Sequence, residues 1–139
     1  MGQCIGVVSG KGGTGKTSFT AGVGAALALS GLRVLCVDCD IGLRNLDIAL
    51  GLSDAALMDF SDVAQQRCTL ERAVVSHPQL AKLSLLTAPI RQRGQPVTGE
   101  QMASLLRAVR IQYDFCLLDA PAGLGDGFLL ATAAADRCV

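Results

Sequence analysis

The sequence predicts an α/β fold with a doubly wound, mainly parallel sheet. Half of its 139 residues are hydrophobic and only 4% are aromatic, which is typical of Val-, Leu- and Ala-rich strands that helices cover on both faces. Short apolar runs also alternate with helical patterns along the chain. Three of these runs lead into glycine or aspartate, so we expect a binding crevice at the carboxyl ends of the strands.

Five strands are predicted from the apolar runs, and helical patterns lie between them. The strands cover residues 4–9, 33–38 and 83–88, while a fourth begins at residue 115 and a fifth at residue 137. Helices are expected at residues 16–30, 70–75 and 131–135, and a further one follows residue 98. The rest of residues 41–82 is predicted as a loop followed by short helices. Gly31 follows the first helix as a C-terminal cap, since glycine accepts the left-handed backbone conformation.

Two of the predicted helices begin with capping patterns. Thr69 precedes "LERAVV" as an N-cap, with Glu71 in the first turn. Thr98 and Gln101 have the spacing of a capping box. The apolar residues that follow Thr98 recur at i, i+3, i+4 and i+7, which predicts one buried stripe. Its members are Met102, Leu105, Leu106 and Val109.

The turn after the first strand fits the phosphate-binding pattern G-x-x-x-x-G-K-[ST] through Gly10, Gly15, Lys16 and Thr17. Its glycines let successive N–H groups point at phosphate oxygens, and the following helix adds its positive N-terminus. Lys16 is expected to reach the β- and γ-phosphates, and the Thr17 hydroxyl to coordinate Mg²⁺. The predicted nucleotide-binding residues of this loop are Gly10, Lys11, Gly12, Gly13, Thr14, Gly15, Lys16, Thr17 and Ser18.

Carboxylates follow two other apolar runs. Asp119 comes after "FCLL", where a Walker B acid holds Mg²⁺ directly or through water. Asp38 and Asp40 are two residues apart at the end of the second strand, so they share one strand face. One of them is expected to support the magnesium shell and the other to orient an attacking water. The alternatives are an acid that only ends a strand, for Asp119, and a solvated acidic loop, for the pair.

A second lysine in the glycine turn, Lys11, is not required by the phosphate pattern. It is either a solvated side chain or a contact to the α-phosphate, or it reaches a nucleotide bound to a second subunit, as an arginine finger does in trans. Spacing alone leaves the three explanations open.

Three stretches of the sequence resemble the MinD/ParA family of P-loop ATPases. "GKGGTGKT", residues 10–17, is similar to its deviant Walker A motif, K-G-G-x-G-K-[ST]. "DCDIGLRNLDIALGL", residues 38–52, resembles the switch region of the branch that places the division septum. "LLDAPAG", residues 117–123, resembles the D-x-P-A-G of that branch, and its Pro121, Ala122 and Gly123 form a turn placed to follow the γ-phosphate.

Two other branches of the family are alternatives to the septum-placing branch. Plasmid-partition ParA relatives usually have D-x-D-P-Q in the switch region, so Ile41 and Gly42 argue against them. The flagellar-number regulator FlhG is the closer competitor, and Arg44 together with the Pro-Ala-Gly turn favours the septum-placing branch. Thr14 and Ser18 replace residues common in the family, a difference that matters little if the loop binds through its backbone.

The resemblance implies an Mg-dependent ATPase that dimerises across ATP and acts as a cell-division switch. Lys11 would then act across the homodimer, Asp40 would align the hydrolytic water, and Asn45 would belong to the switch contact. It also implies cycling between the cytoplasm and the anionic inner face of the cell membrane through a C-terminal amphipathic helix. The division inhibitor MinC and the activator MinE are the implied partners.

The family fold needs about twice this length, so the resemblance implies that residues 1–139 are the N-terminal part of a single P-loop ATPase domain. We therefore expect a truncated chain without the adenine-recognition segment or the membrane helix. A catalytically inactive nucleotide-binding fragment is the alternative of another class.

Other function classes find little support in the sequence. Twelve basic and twelve acidic residues give zero net charge, which argues against direct nucleic-acid binding. Cys36 and Cys39 form a C-x-x-C, but no second pair follows at a zinc-like spacing, so they are predicted as core residues. An electron-transfer protein related to nitrogenase-type reductases lacks support because no cysteine pair flanks the fourth strand. His77 is expected at the surface and not as a catalytic base.

Overall fold

The computed structural model describes residues 2–7, 15–39, 45–52, 58–89, 97–119 and 137–138. Its strands are β1 (Gln3–Val7), β2 (Val34–Asp38), β3 (Val75–Ser76), β4 (Leu83–Leu86), β5 (Phe115–Asp119) and β6 (Arg137–Cys138). Its helices are α1 (Gly15–Leu29), α2 (Asn45–Ala49), α3 (Phe60–Ala64), α4 (Leu70–Ala73) and α5 (Gly99–Gln112). The predicted helix at residues 131–135 lies outside the described residues.

The strands form one sheet in the order β3-β4-β2-β5-β1-β6. All neighbours pair in parallel except β3, which pairs antiparallel with β4. The predicted mainly parallel α/β sheet is therefore confirmed. The predicted helix at residues 70–75 is wrong beyond Ala73, because Val75 pairs with Leu85 and becomes an edge strand. Two residues are too few for a period-2 pattern to be visible in the sequence.

The apolar residues divide into two cores, one on each face of the sheet. Along β2, Leu35 and Val37 face the first core, whereas Val34 and Cys36 face the second. The first core is closed by α5, whose buried residues are Met102, Leu105, Leu106 and Val109 as predicted. The second core is closed by α1 and α2. Helices on both faces make the sheet doubly wound, and β2 is buried over its whole length.

Local signals mark the end of α1 and the starts of α3 and α5. Gly31 has a φ of +95° and follows α1, as predicted for a C-terminal cap. Thr98 and Gln101 form the predicted capping box of α5. Thr69 precedes α4, but its side chain makes no capping hydrogen bond. The sequence analysis missed a capping box at α3, where Asp59 and Asp62 replace the usual Ser/Thr and Glu/Gln pair.

Four cysteines, Cys4, Cys36, Cys39 and Cys116, are buried in the core as expected, and Cys68 packs against it partly buried. Cys36 lies in the second core and Cys39 in the first, so the two thiols of the C-x-x-C point to opposite faces of the sheet. Burial, together with the negative charge of Asp119, raises the pKa of the Cys36 thiol to about 12. A thiol with that pKa is not an effective nucleophile or metal ligand at neutral pH.

His77 is partly buried and organises a turn. Its Nδ1 accepts hydrogen bonds from the backbone N–H groups of Gln79 and Leu80, both at 3.1 Å. This contact gives His77 a structural role in the turn.

Within the described residues, no helix combines the length and the apolarity that a membrane crossing requires.

Helix α1 packs closely against β2 at Gly24. A Cβ atom there would lie 2.8 Å from Cys36 Sγ and 3.3 Å from Leu83 Cδ1. Gly22 lies two residues earlier in the same helix. A Cβ atom built there would have no heavy atom within 4 Å. We therefore expect Gly24→Val to lower the free energy of unfolding by about 1–3 kcal/mol, since added methyl groups overpack the core.

The matched substitution Gly22→Val should change the stability by less than about 0.5 kcal/mol, because valine there gains helix propensity and meets open space. Urea denaturation of the two variants measures the difference. Equal destabilisation by both would contradict the close approach at Gly24.

Candidate functional site

The carboxyl ends of β1, β5 and β2 lie level with one another at one edge of the sheet. Asp119 is the register partner of Val7 on one side and of Asp38 on the other. The backbone N–H of Cys39, just past β2, donates to the Asp119 carbonyl oxygen at 3.0 Å and continues the ladder. Strand alternation directs Asp38 and Asp119 toward the face that α1 and α2 cover.

A side-chain hydrogen bond at this edge joins α1 to β5. Thr17 Oγ1 donates a hydrogen bond to Asp119 Oδ2 at 3.0 Å. Thr17 is in the first turn of α1 and Asp119 is the last residue of β5, 102 positions later. The fold therefore joins the last fixed residue of the phosphate-binding pattern to the predicted Walker B acid.

The second carboxylate contacts a different element. Asp38 Oδ2 accepts a hydrogen bond from the backbone N–H of Leu46 at 3.3 Å, which joins the end of β2 to the first turn of α2. Leu46 is buried in the second core. The sequence analysis missed this contact, because an aspartate and a leucine eight positions apart form no recognisable motif.

Two buried carboxylates therefore lie on neighbouring strands. Asp38 and Asp119 are each only 1% exposed. Parallel strands are about 4.8 Å apart, so the two carboxylates lie on adjacent strands of the same sheet face. The oxygen atoms of the two acids and of the Thr17 hydroxyl are ligands of the kind that suits Mg²⁺.

The described residues contain no group of three or more His, Cys, Asp and Glu side chains able to hold a metal by themselves. Where Mg²⁺ is bound together with substrate phosphates, one or two carboxylates are the usual protein ligands.

The other predicted site residues are described only in part. Gly15 and Lys16 begin α1, and Asn45 begins α2. Ser18 is exposed and lines a cavity of about 410 Å³ between α1, α2 and the turn at His77. The predicted residues outside the described ranges are Gly10, Lys11, Gly12, Gly13, Thr14, Asp40, Pro121, Ala122 and Gly123.

Known proteins resemble the chain in sequence and in structure. The septum site-determining protein MinD of Synechocystis is 41% identical over 139 residues, which are all of this chain and 52% of that protein. A chain of the MinC:MinD cell division protein complex from Aquifex aeolicus superposes with a TM-score of 0.86 at 38% identity, over 98% of this chain and 54% of that one.

MinD from Pyrococcus horikoshii, solved in complex with Mg-ADP, gives a TM-score of 0.82 at 31% identity, over 99% of this chain and 56% of that one. The chain thus spans about half the length of these relatives. The model of the CobQ/CobB/MinD/ParA nucleotide binding domain matches residues 5–119, from within β1 to the end of β5. The chain therefore belongs to the CobQ/CobB/MinD/ParA family of nucleotide-binding domains.

Proposed function

We propose that this chain forms the phosphate- and magnesium-binding part of an ATP-hydrolysing switch protein of the MinD type. The hydrogen bond from Thr17 Oγ1 to Asp119 Oδ2 carries the proposal. It brings together the two groups that hold Mg²⁺ in P-loop proteins, at the carboxyl edge where such sheets bind ligands. The relative solved with Mg-ADP supports the same ligand class.

The residues divide the chemistry of phosphoryl transfer between them. Thr17 and Asp119 hold magnesium, which when bound neutralises charge on the phosphates, and Asp38 supports that shell from the neighbouring strand. The backbone N–H groups of residues 10–15 and the start of α1 surround the phosphates. Lys16 reaches the β- and γ-phosphates and stabilises the charge that develops during transfer.

Other residues align the attacking water, reach the second subunit or form the switch. Asp40 aligns the attacking water. Lys11 reaches the nucleotide of the partner subunit in a homodimer. The turn of Pro121, Ala122 and Gly123 responds to the γ-phosphate, and Asn45 joins the switch contact at the start of α2. These assignments rest on the positions in the sequence that match the family motif.

The relatives support a proposed role in cell division. A protein that resembles this chain is part of a MinC:MinD complex, so the division inhibitor MinC is the first proposed partner. The activator MinE and an anionic membrane surface are the others, with ATP-dependent dimerisation controlling attachment at the inner face of the cell membrane. Placement of the division septum is the process that this cycle would serve.

Removing the Thr17 hydroxyl tests the magnesium site. Thr17→Val keeps the shape of the side chain but deletes the donor to Asp119, so we expect the affinity for ATP in Mg²⁺ to fall about tenfold or more. Titration with a fluorescent ATP analogue measures it. Thr17→Ser retains the hydroxyl and should stay near the wild-type affinity, and chelation of Mg²⁺ should abolish the difference. An equal affinity of Thr17→Val in Mg²⁺ would argue against the site.

Substitution of Asp40 tests turnover apart from binding. Asp40→Ala should lower kcat for ATP hydrolysis by about 100-fold or more, while the affinity for ATP changes little, because positioning of water matters only in the transition state. Phosphate release measures kcat. Wild-type turnover in this variant would remove Asp40 from the mechanism, and ATP binding without turnover in the wild-type chain would favour the inactive nucleotide-binding module.

Lys11 and Lys82 provide a matched test of the homodimer. Lys11→Ala should abolish dimerisation in a non-hydrolysable ATP analogue, because it removes the charge that reaches the partner's nucleotide. Lys82→Ala is the control, since Lys82 is exposed beside the amino end of β4 and its Nζ donates to the Gly31 carbonyl oxygen at 2.9 Å. Light scattering measures the mass of each variant. A dimer that persists in Lys11→Ala would exclude the role in trans.

A further inference from the structure

Helix α2 depends on a contact outside itself. It has five residues, Asn45–Ala49, whereas isolated helices shorter than about 12 residues are marginal in water. Its buried residue Leu46, together with Leu50 just past its end, packs into the second core. The N–H of Leu46 is among the first N–H groups of the helix, which have no acceptor within the helix, and it donates to Asp38 Oδ2.

The two buried carboxylates of the nucleotide edge have different kinds of partner. Asp119 accepts a hydrogen bond from the hydroxyl of Thr17, whose oxygen keeps lone pairs and can still coordinate a cation. Asp38 accepts a hydrogen bond from a backbone N–H, which can only donate and is fixed in the first turn of a helix. The Asp38 contact therefore joins two parts of the backbone, whereas the Asp119 contact includes a hydroxyl that can also bind a ligand.

We propose that Asp38 is a positioning residue that seats α2 against the nucleotide edge and does not ligate magnesium directly. Asn45, the predicted switch residue, is the first residue of α2. By holding α2, Asp38 therefore sets the position of Asn45 relative to the carboxyl ends of the strands. The consequence for nucleotide binding rests on the proposed function, whereas the seating of α2 does not.

Amide hydrogen exchange of the nucleotide-free chain in EDTA tests the seating. In Asp38→Ala we expect the exchange of the Leu46, Leu50 and Gly51 amides to accelerate about tenfold or more, because a hydrogen bond to a charged acceptor is lost. The Leu50 and Gly51 N–H groups report on the helix, since they donate to Leu46 and Ile48 carbonyl oxygens at 3.0 Å. In Asp38→Asn a carbonyl oxygen remains as acceptor, and the acceleration should stay below about threefold. Unchanged α2 exchange in Asp38→Ala would overturn the proposal.

Asp62→Ala is the matched control. Asp62 is also buried, at 3% exposure, but it accepts hydrogen bonds from Asp59 N and Arg67 Nε around α3. Its loss should accelerate exchange at α3 and leave the α2 amides at the wild-type rate. If Asp62→Ala accelerates α2 as much as Asp38→Ala does, the effect is general destabilisation and the proposal fails.

The affinity for ATP in Mg²⁺ separates positioning from ligation. A positioning role predicts that Asp38→Asn, which keeps an acceptor for the Leu46 N–H, loses several-fold less affinity than Asp38→Ala does. Equal losses in both variants would show direct ligation and overturn the proposal. If the wild-type chain binds no ATP, the proposed function fails, and hydrogen exchange still decides the seating of α2.

A further measurement covers the case in which Asp38→Ala does not fold. In the wild type, the bond to a charged carboxylate should move the proton resonance of the Leu46 amide downfield, and Asp38→Asn should move it upfield. An identical Leu46 resonance in both proteins would overturn the proposal.

Discussion

The candidate site depends on the register of β5 between β1 and β2. This pairing places Asp119 level with Val7 on one side and with Asp38 on the other. A slip of β5 by one residue would turn Asp119 to the opposite face of the sheet, away from α1. The register is well specified, because both faces of β5 are buried and successive side chains pack into opposite cores.

The two buried carboxylates at this edge also hold the starts of two helices in place. Each carboxylate accepts a hydrogen bond from a helix that begins at this edge: Asp119 from Thr17 in α1, which follows the neighbouring strand β1, and Asp38 from Leu46 in α2, which follows its own strand β2. Removing a buried carboxylate from water is costly unless hydrogen bonds compensate it, so the acids and the helix starts stabilise each other. The elements that hold the acids are thereby the same elements that would contact a nucleotide.

Much of the fold could be predicted because its signals are local. The α5 stripe and the Thr98 capping box were correct in detail, since side-chain periodicity and capping involve residues within one or two turns. β3 was missed because it exists only through pairing with β4, and the α3 cap was missed because it uses two aspartates. The site prediction named Thr17, Asp38 and Asp119 correctly as neighbours of one edge, and their roles stay predictions.

By itself the sequence determined which functional groups are available, namely a glycine turn with lysines and two strands that end in aspartate. It also determined that strands and helices alternate, which requires a sheet with helices on both faces. Spacing along the chain reveals residue types and local conformation, because both depend on near neighbours. Only the tertiary structure decided which groups meet. The hydrogen bond of Thr17 with Asp119 joins residues 102 positions apart. Cys36 and Cys39 lie in different cores because the two faces of the sheet pack against different helices. The hydrogen bond of Asp38 with Leu46 depends on how α2 packs. These relations follow from strand register and core packing, which no local pattern encodes.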